Sequence, residues 1–156
     1  MLGPTLASVS NADQPDTYPG IGIGMSFNAH LLHYGVGSLG LTIPPVLVIG
    51  KRADASGFDF QRFHLPIGVM LTVGDAGGYS GSGLVSGAIA VGWGVTVGAF
   101  AKDGIDSRPW LQFDVAVGIF ERGALKLRYR NVFGEYLFQG SPVSYHGLYL
   151  VGSSAW

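Results

Sequence analysis

Residues 89–99, Ile-Ala-Val-Gly-Trp-Gly-Val-Thr-Val-Gly-Ala, set a large apolar group at every second position and a small residue at each position between. A period of two is the signature of a β-strand, because successive side chains point to opposite faces. Ile89, Val91, Trp93, Val95 and Val97 make one face; Ala90, Gly92, Gly94, Thr96 and Gly98 make the other. A half-solvated sheet would carry polar or charged residues on its second face. Here that face is small, which suits a strand lining a narrow interior while its apolar side meets an apolar surrounding. Lipid is the surrounding that fits best.

Composition points the same way. Charged residues are 12% of the 156-residue chain, against about a quarter in soluble domains. Hydrophobic residues are 47% and the mean hydropathy is +0.35, so a soluble fold would have little polar material for its surface. The 26 glycines show no collagen period. With a net charge of -1 and no basic run, nucleic acid is not an expected partner. The absence of cysteine removes disulfides, thiolate metal sites and a thiol nucleophile, and neither metal nor cofactor is expected.

The charges cluster with turn formers: Asp13 and Asp16; Lys51, Arg52 and Asp54; Lys102, Asp103, Asp106 and Arg108; Glu121 and Arg122. None lies between Asp16 and Lys51, or between Asp75 and Lys102. Uncharged spans joined by charged turns describe membrane crossings joined by wet loops. The span 84–101 is about long enough for a helical crossing, but its glycines, β-branched residues and alternation favour strand.

The chain is expected to be one domain, 1–156, in which 1–19 supply a weak first strand (3–10) and a loop. Seven further strands are expected at 20–32, 34–50, 58–73, 83–101, 109–120, 124–138 and 143–156. The third changes phase near Ser38-Leu39 and is interrupted by Pro44-Pro45. Longer polar links (11–19, 51–57, 102–108) roughly alternate with short ones (near 33, 121–123), the Gly-rich 74–82 link being the exception. That alternation fits an antiparallel up-and-down transmembrane β-barrel of eight strands with both termini on the periplasmic side. The start, Met-Leu-Gly-Pro-Thr-Leu, lacks a basic n-region and an apolar core, so an exported chain would be present here in mature form.

Glu121-Arg122-Gly123 suits a three-residue hairpin loop with glycine in the left-handed position. That loop sets Phe120 opposite Ala124, Gly118 opposite Lys126, Ala116 opposite Arg128 and Asp114 opposite Arg130. The other face then pairs Ile119 with Leu125, Val117 with Leu127, and Val115 with Tyr129. One face is apolar throughout. The second places long cations against small residues that leave them room, so the barrel interior is expected to hold Gln112, Asp114, Lys126, Arg128 and Arg130.

These patterns, together with the C-terminal Trp156, make residues 20–156 resemble a small bacterial outer-membrane β-barrel. In that class the last strand commonly ends in Phe or Trp as an assembly signal, a role the resemblance implies for Trp156. It also implies residence in an outer-membrane bilayer containing lipopolysaccharide. Trp93, Trp110, Tyr129 and Trp156, with Tyr136, are candidates for aromatic girdles at the membrane interfaces.

Chemistry is suggested at one place. Ser144 and His146 are two apart on the last strand and share its outward face, and a four-residue loop at 139–142 would set Glu135 opposite His146. A serine, a histidine and an orienting carboxylate are the parts of a serine hydrolase. The arrangement resembles that of the lipid A deacylases of the outer membrane, which carry a Ser-His-Glu set on the lipid-facing side. That family has His-x-Ser on strand seven, where this chain reads Leu127-Arg128-Tyr129-Arg130-Asn131-Val132, so none of its residues carries over.

Three functions follow as expectations. The first is a structural, scaffold or narrow, porin-like pore role in the outer membrane, with oligomerisation open. The second is a lipid acyl hydrolase using Ser144, His146 and Glu135. The third is a soluble Gly-rich β protein of an oligomeric or phage assembly. His30 and His33 have no third ligand at suitable spacing, and the Gly-rich 74–83 run lacks the Lys-Ser/Thr of a phosphate loop.

Overall fold

The computed structural model describes residues 1–10, 15–51, 57–74, 84–98, 105–120, 123–133 and 143–154. They form ten strands: β1 (Leu2–Ser10), β2 (Pro15–Gly24), β3 (Phe27–Tyr34), β4 (Gly37–Ile43), β5 (Val46–Lys51), β6 (Phe58–Gly74), β7 (Val85–Gly98), β8 (Ile105–Phe120), β9 (Gly123–Val132) and β10 (Val143–Ser154).

Every pairing is antiparallel, and eight strands close a ring: β1, β2, β5, β6, β7, β8, β9 and β10, which pairs back to β1. Closure satisfies the backbone groups that an open edge would expose. The two additional strands are continuations. Met25-Ser26 breaks one wall strand into β2 and β3, and Pro44-Pro45 breaks the next into β4 and β5, since proline cannot donate to a ladder. β5 runs beside the first half of β6 and β4 beside the second. The expected barrel of eight is therefore the observed architecture, with two interrupted walls.

β3 and β4 join through Gly35-Val36, with Tyr34 paired to Gly37. Gly35 adopts φ of 54°, a left-handed conformation that costs glycine little and that two-residue hairpins demand. Among the described residues β3 pairs only with β4, while β4 also pairs with β6, so β3 is the outer strand of this part of the wall.

Apart from β3 and the Gln61–Arg62 step of β6, side chains of the described wall alternate between inside and outside. On β7, Ile89, Val91, Trp93, Val95 and Val97 face outward and are exposed, while Ala90, Gly94 and Thr96 are buried. Neighbouring strands extend the apolar exterior: Leu65, Ile67, Val69 and Leu71 on β6; Phe113, Val115, Val117 and Ile119 on β8; Leu125 and Leu127 on β9; Leu148 and Leu150 on β10. Each is more than a third exposed. Together they make a continuous belt, whereas soluble monomers rarely expose apolar patches beyond a few hundred Å².

The core lies inside the ring. One cluster joins Ala7, Met70, Ala90, Trp110, Val132, Val143 and Tyr145; a second joins Val46, Val48, Tyr149 and Val151. Interior glycines make room for the large members. A Cβ at Gly68 would stand 2.6 Å from the Trp110 ring, and one at Gly147 would stand 2.3 Å from the Tyr149 hydroxyl. Both distances are well inside van der Waals contact, so the small face of the wall is small because bulky interior groups lie against it.

The β8–β9 register differs by two residues from the one expected. Asp114 faces Arg128, Gln112 faces Arg130, Ala116 faces Lys126 and Gly118 faces Ala124, with an irregularity between Gly118 and Phe120. On the outer face Val117 meets Leu125, Val115 meets Leu127 and Phe113 meets Tyr129. A shift of two leaves every side chain on its expected face, and the new register brings an acid directly across from Arg128.

Candidate functional site

Among the described residues, polar groups gather in the barrel interior and in an outward patch near the β9–β10 connection, with a smaller set on β3 and β4. Inside, β8 and β9 supply an ordered set. Arg128 donates from Nε and Nη2 to the two Asp114 oxygens at 2.9 and 2.7 Å, a bidentate pair. Arg130 donates from Nε and Nη2 to Gln112 Oε1 at 3.2 and 3.0 Å. Gln112, Asp114, Arg128 and Arg130 are all buried and Lys126 is half-buried.

The interior also holds groups beyond those five. Arg62 and His64 on β6 and Arg108 on β8 are buried beside Tyr145 and Tyr149 on β10. Arg108 forms an ion pair with Asp106, and His64 Nδ1 lies 2.8 Å from the Thr96 hydroxyl. The Arg62 guanidinium sits 4.2 Å over the Tyr145 ring, a cation–π contact. Phe60 points outward, so unbroken alternation would send Arg62 outward too. The register between β5 and β6 shifts at Val48/Ile49, and Gln61 and Arg62 are both buried. Arg62 and His64 keep the inward phase set by the outward Phe63, Leu65 and Ile67, and the phase change at this bulge is what turns Phe60 outward.

On the outer face, Ser144 and His146 project from β10 and are half-buried. The Ser144 hydroxyl lies 3.5 Å from His146 Nε2, and the Tyr129 hydroxyl lies 3.0 Å from His146 Nδ1. Ser8 stands opposite Ser144, and Asn131 stands opposite His146. This corrects the expectation that Glu135 would face His146: the β9–β10 register gives that place to Asn131. Glu135 itself, with Tyr136, lies outside the described residues.

The aromatic candidates separate. Trp93 and Tyr129 are on the outer face. Trp110 is 1% exposed, lies inside, and donates from Nε1 to the Ile67 carbonyl at 3.3 Å. It is therefore a lumen residue and not part of an interfacial girdle, because Leu111 and Phe113 take the other phase of β8. Trp156 lies outside the described residues. His30 and His33, on β3, have ring centroids 6.0 Å apart, and His30 Nδ1 is 2.7 Å from the Ser38 hydroxyl.

No protein-family model and no curated protein matches the sequence. Among solved structures the fold is similar to the crystal structure of the outer membrane enzyme PagL, with a TM-score of 0.51 at 10% sequence identity. The likeness covers 94% of this chain and 96% of that one. It is a likeness of fold.

Proposed function

We propose that the chain is an integral outer-membrane β-barrel with a closed, non-conducting interior. The observation that carries this is the continuous apolar belt around a sealed ring. A bilayer core covers such a belt, and a closed barrel is one of the two ways a chain can span it with its backbone satisfied. The fold likeness to an outer-membrane enzyme supports the same placement. Eight strands leave an interior that side chains fill, and here Trp110, Arg128, Arg130, His64 and Gln112 are among those filling it. In planar-bilayer recording the refolded protein is expected to give no discrete steps; reproducible steps would overturn the closed-lumen proposal.

The Tyr129–His146–Ser144 chain supports a second proposal, hydrolysis of an acyl ester in the surrounding leaflet. With Nδ1–H donated to the Tyr129 oxygen, His146 keeps the Nε2 lone pair toward Ser144. It can then take the hydroxyl proton as Ser144 attacks an ester carbonyl, and return it to the departing alcohol. A water that gives its proton to the same Nε2 then attacks the acyl-serine, the fatty acid leaves, and Ser144 takes that proton back. Tyrosine would orient the imidazole where hydrolases commonly use a carboxylate. Ser144→Ala should abolish acyl release from lipopolysaccharide vesicles, and Tyr129→Phe should lower it about 10-fold or more by freeing the tautomer. No release from the unmodified protein would end this proposal and leave the barrel proposal standing.

A further inference from the structure

Among the described residues the interior carries more positive than negative charge, and the excess converges on one cavity. Asp114 pairs with Arg128 and Asp106 with Arg108. Among the described residues no carboxylate pairs with Arg62 or Arg130, which are 3% and 2% exposed. Arg62 has the Gln61 side-chain oxygen and the Tyr145 ring. Arg130 has Gln112 through Nε and Nη2, while its Nη1 has no protein partner.

Both arginines line a cavity of about 10 Å³ together with His64, Tyr145 and Tyr149. His64 Nε2 and the Tyr145 hydroxyl are also buried without protein partners. A cavity this size holds about one water-sized occupant, too little for a phosphate or carboxylate. A water could satisfy the hydrogen bonds but would leave two buried guanidinium charges uncompensated, a costly state.

We propose that this cavity binds a single halide-sized anion, chloride under ordinary conditions, held between Arg62 and Arg130 with the Tyr145 hydroxyl as a further donor. The ion is a structural ligand: it offsets one of the two guanidinium charges that the carboxylates leave over, and it binds the folded barrel in preference to the unfolded chain.

The test is thermal unfolding of the refolded protein in uncharged detergent, in sodium chloride or bromide against sodium gluconate at equal ionic strength. Small halides should raise the unfolding temperature by about 5 °C over gluconate, since a ligand bound only by the folded state stabilises it. Arg130→Gln should abolish the difference. Tyr145→Phe, which keeps the ring beneath Arg62 and removes one donor, should shift the halide response to higher concentration, and serves should the arginine variant fail to fold. Crystals grown in bromide should show an anomalous peak between the two guanidiniums. Equal unfolding temperatures in halide and gluconate, or a cavity holding water alone in bromide crystals, would overturn the proposal.

Discussion

Replacing Asp114 by alanine is expected to destabilise the barrel by about 3–5 kcal/mol, because it leaves the Arg128 guanidinium buried and unpaired. Arg128 is 0% exposed and donates twice to Asp114. The loss falls on an interior that already carries an excess of cations, with Arg130 and Lys126 on the same strand. The double variant Asp114→Ala/Arg128→Met should recover most of the loss, since exchanging a whole buried ion pair for apolar groups is often near neutral. Urea unfolding of the refolded protein in vesicles, followed by tryptophan fluorescence, measures both. A single variant within about 0.5 kcal/mol of the parent, the scale of an ordinary surface change, would mean that the pair does not hold the interior together.

The second large effect separates a lipid-facing wall from a water-facing one. Val115 is 59% exposed on the outer face of β8, among Phe113, Val117 and Leu127. Val115→Arg should cost about 2–4 kcal/mol if that face meets the middle of a bilayer, and close to nothing if it meets water. Gly152, near the end of β10, supplies the control. It faces outward, and a side chain added there meets nothing within 4 Å. Gly152→Arg should cost about 0–1 kcal/mol, as near a membrane interface. Equal costs at the two positions would contradict a membrane-depth gradient.

The wall was legible in the sequence because alternation is local. Period two around Trp93, and the small face opposite it, require only that successive side chains point opposite ways, and both appear in β7 as expected. Pro44-Pro45 likewise marks its own break. The interior was legible in part. Gln112, Asp114, Arg128 and Arg130 followed from their phase with Phe113, Val115 and Leu127, even though the hairpin register was two residues off; a shift of two preserves faces and changes only partners.

What the alternation could not supply was set by irregularities and by cross-strand register. The phase change at Gln61 sets Phe60 outward at the start of a strand whose later residues put Arg62 and His64 inside, and Arg108, which stands among charged turn residues in the sequence, belongs to the start of β8. The outward site shows the same limit. Ser144 and His146 share a face by spacing alone, but the partner of His146 depends on the register between β9 and β10, which sets Asn131 across from it and brings Tyr129 within hydrogen-bonding distance.

The central claim is that a closed barrel presents its apolar belt to lipid, and electrophoretic mobility after refolding into phospholipid vesicles tests it most directly. Unheated in dodecyl sulfate, the protein should keep its compact fold and migrate apart from the boiled sample, with Asp114→Ala and Val115→Arg shifting the band distribution toward the unfolded position. A single band unmoved by boiling, from a protein that also stays dissolved without detergent or lipid, would contradict the account.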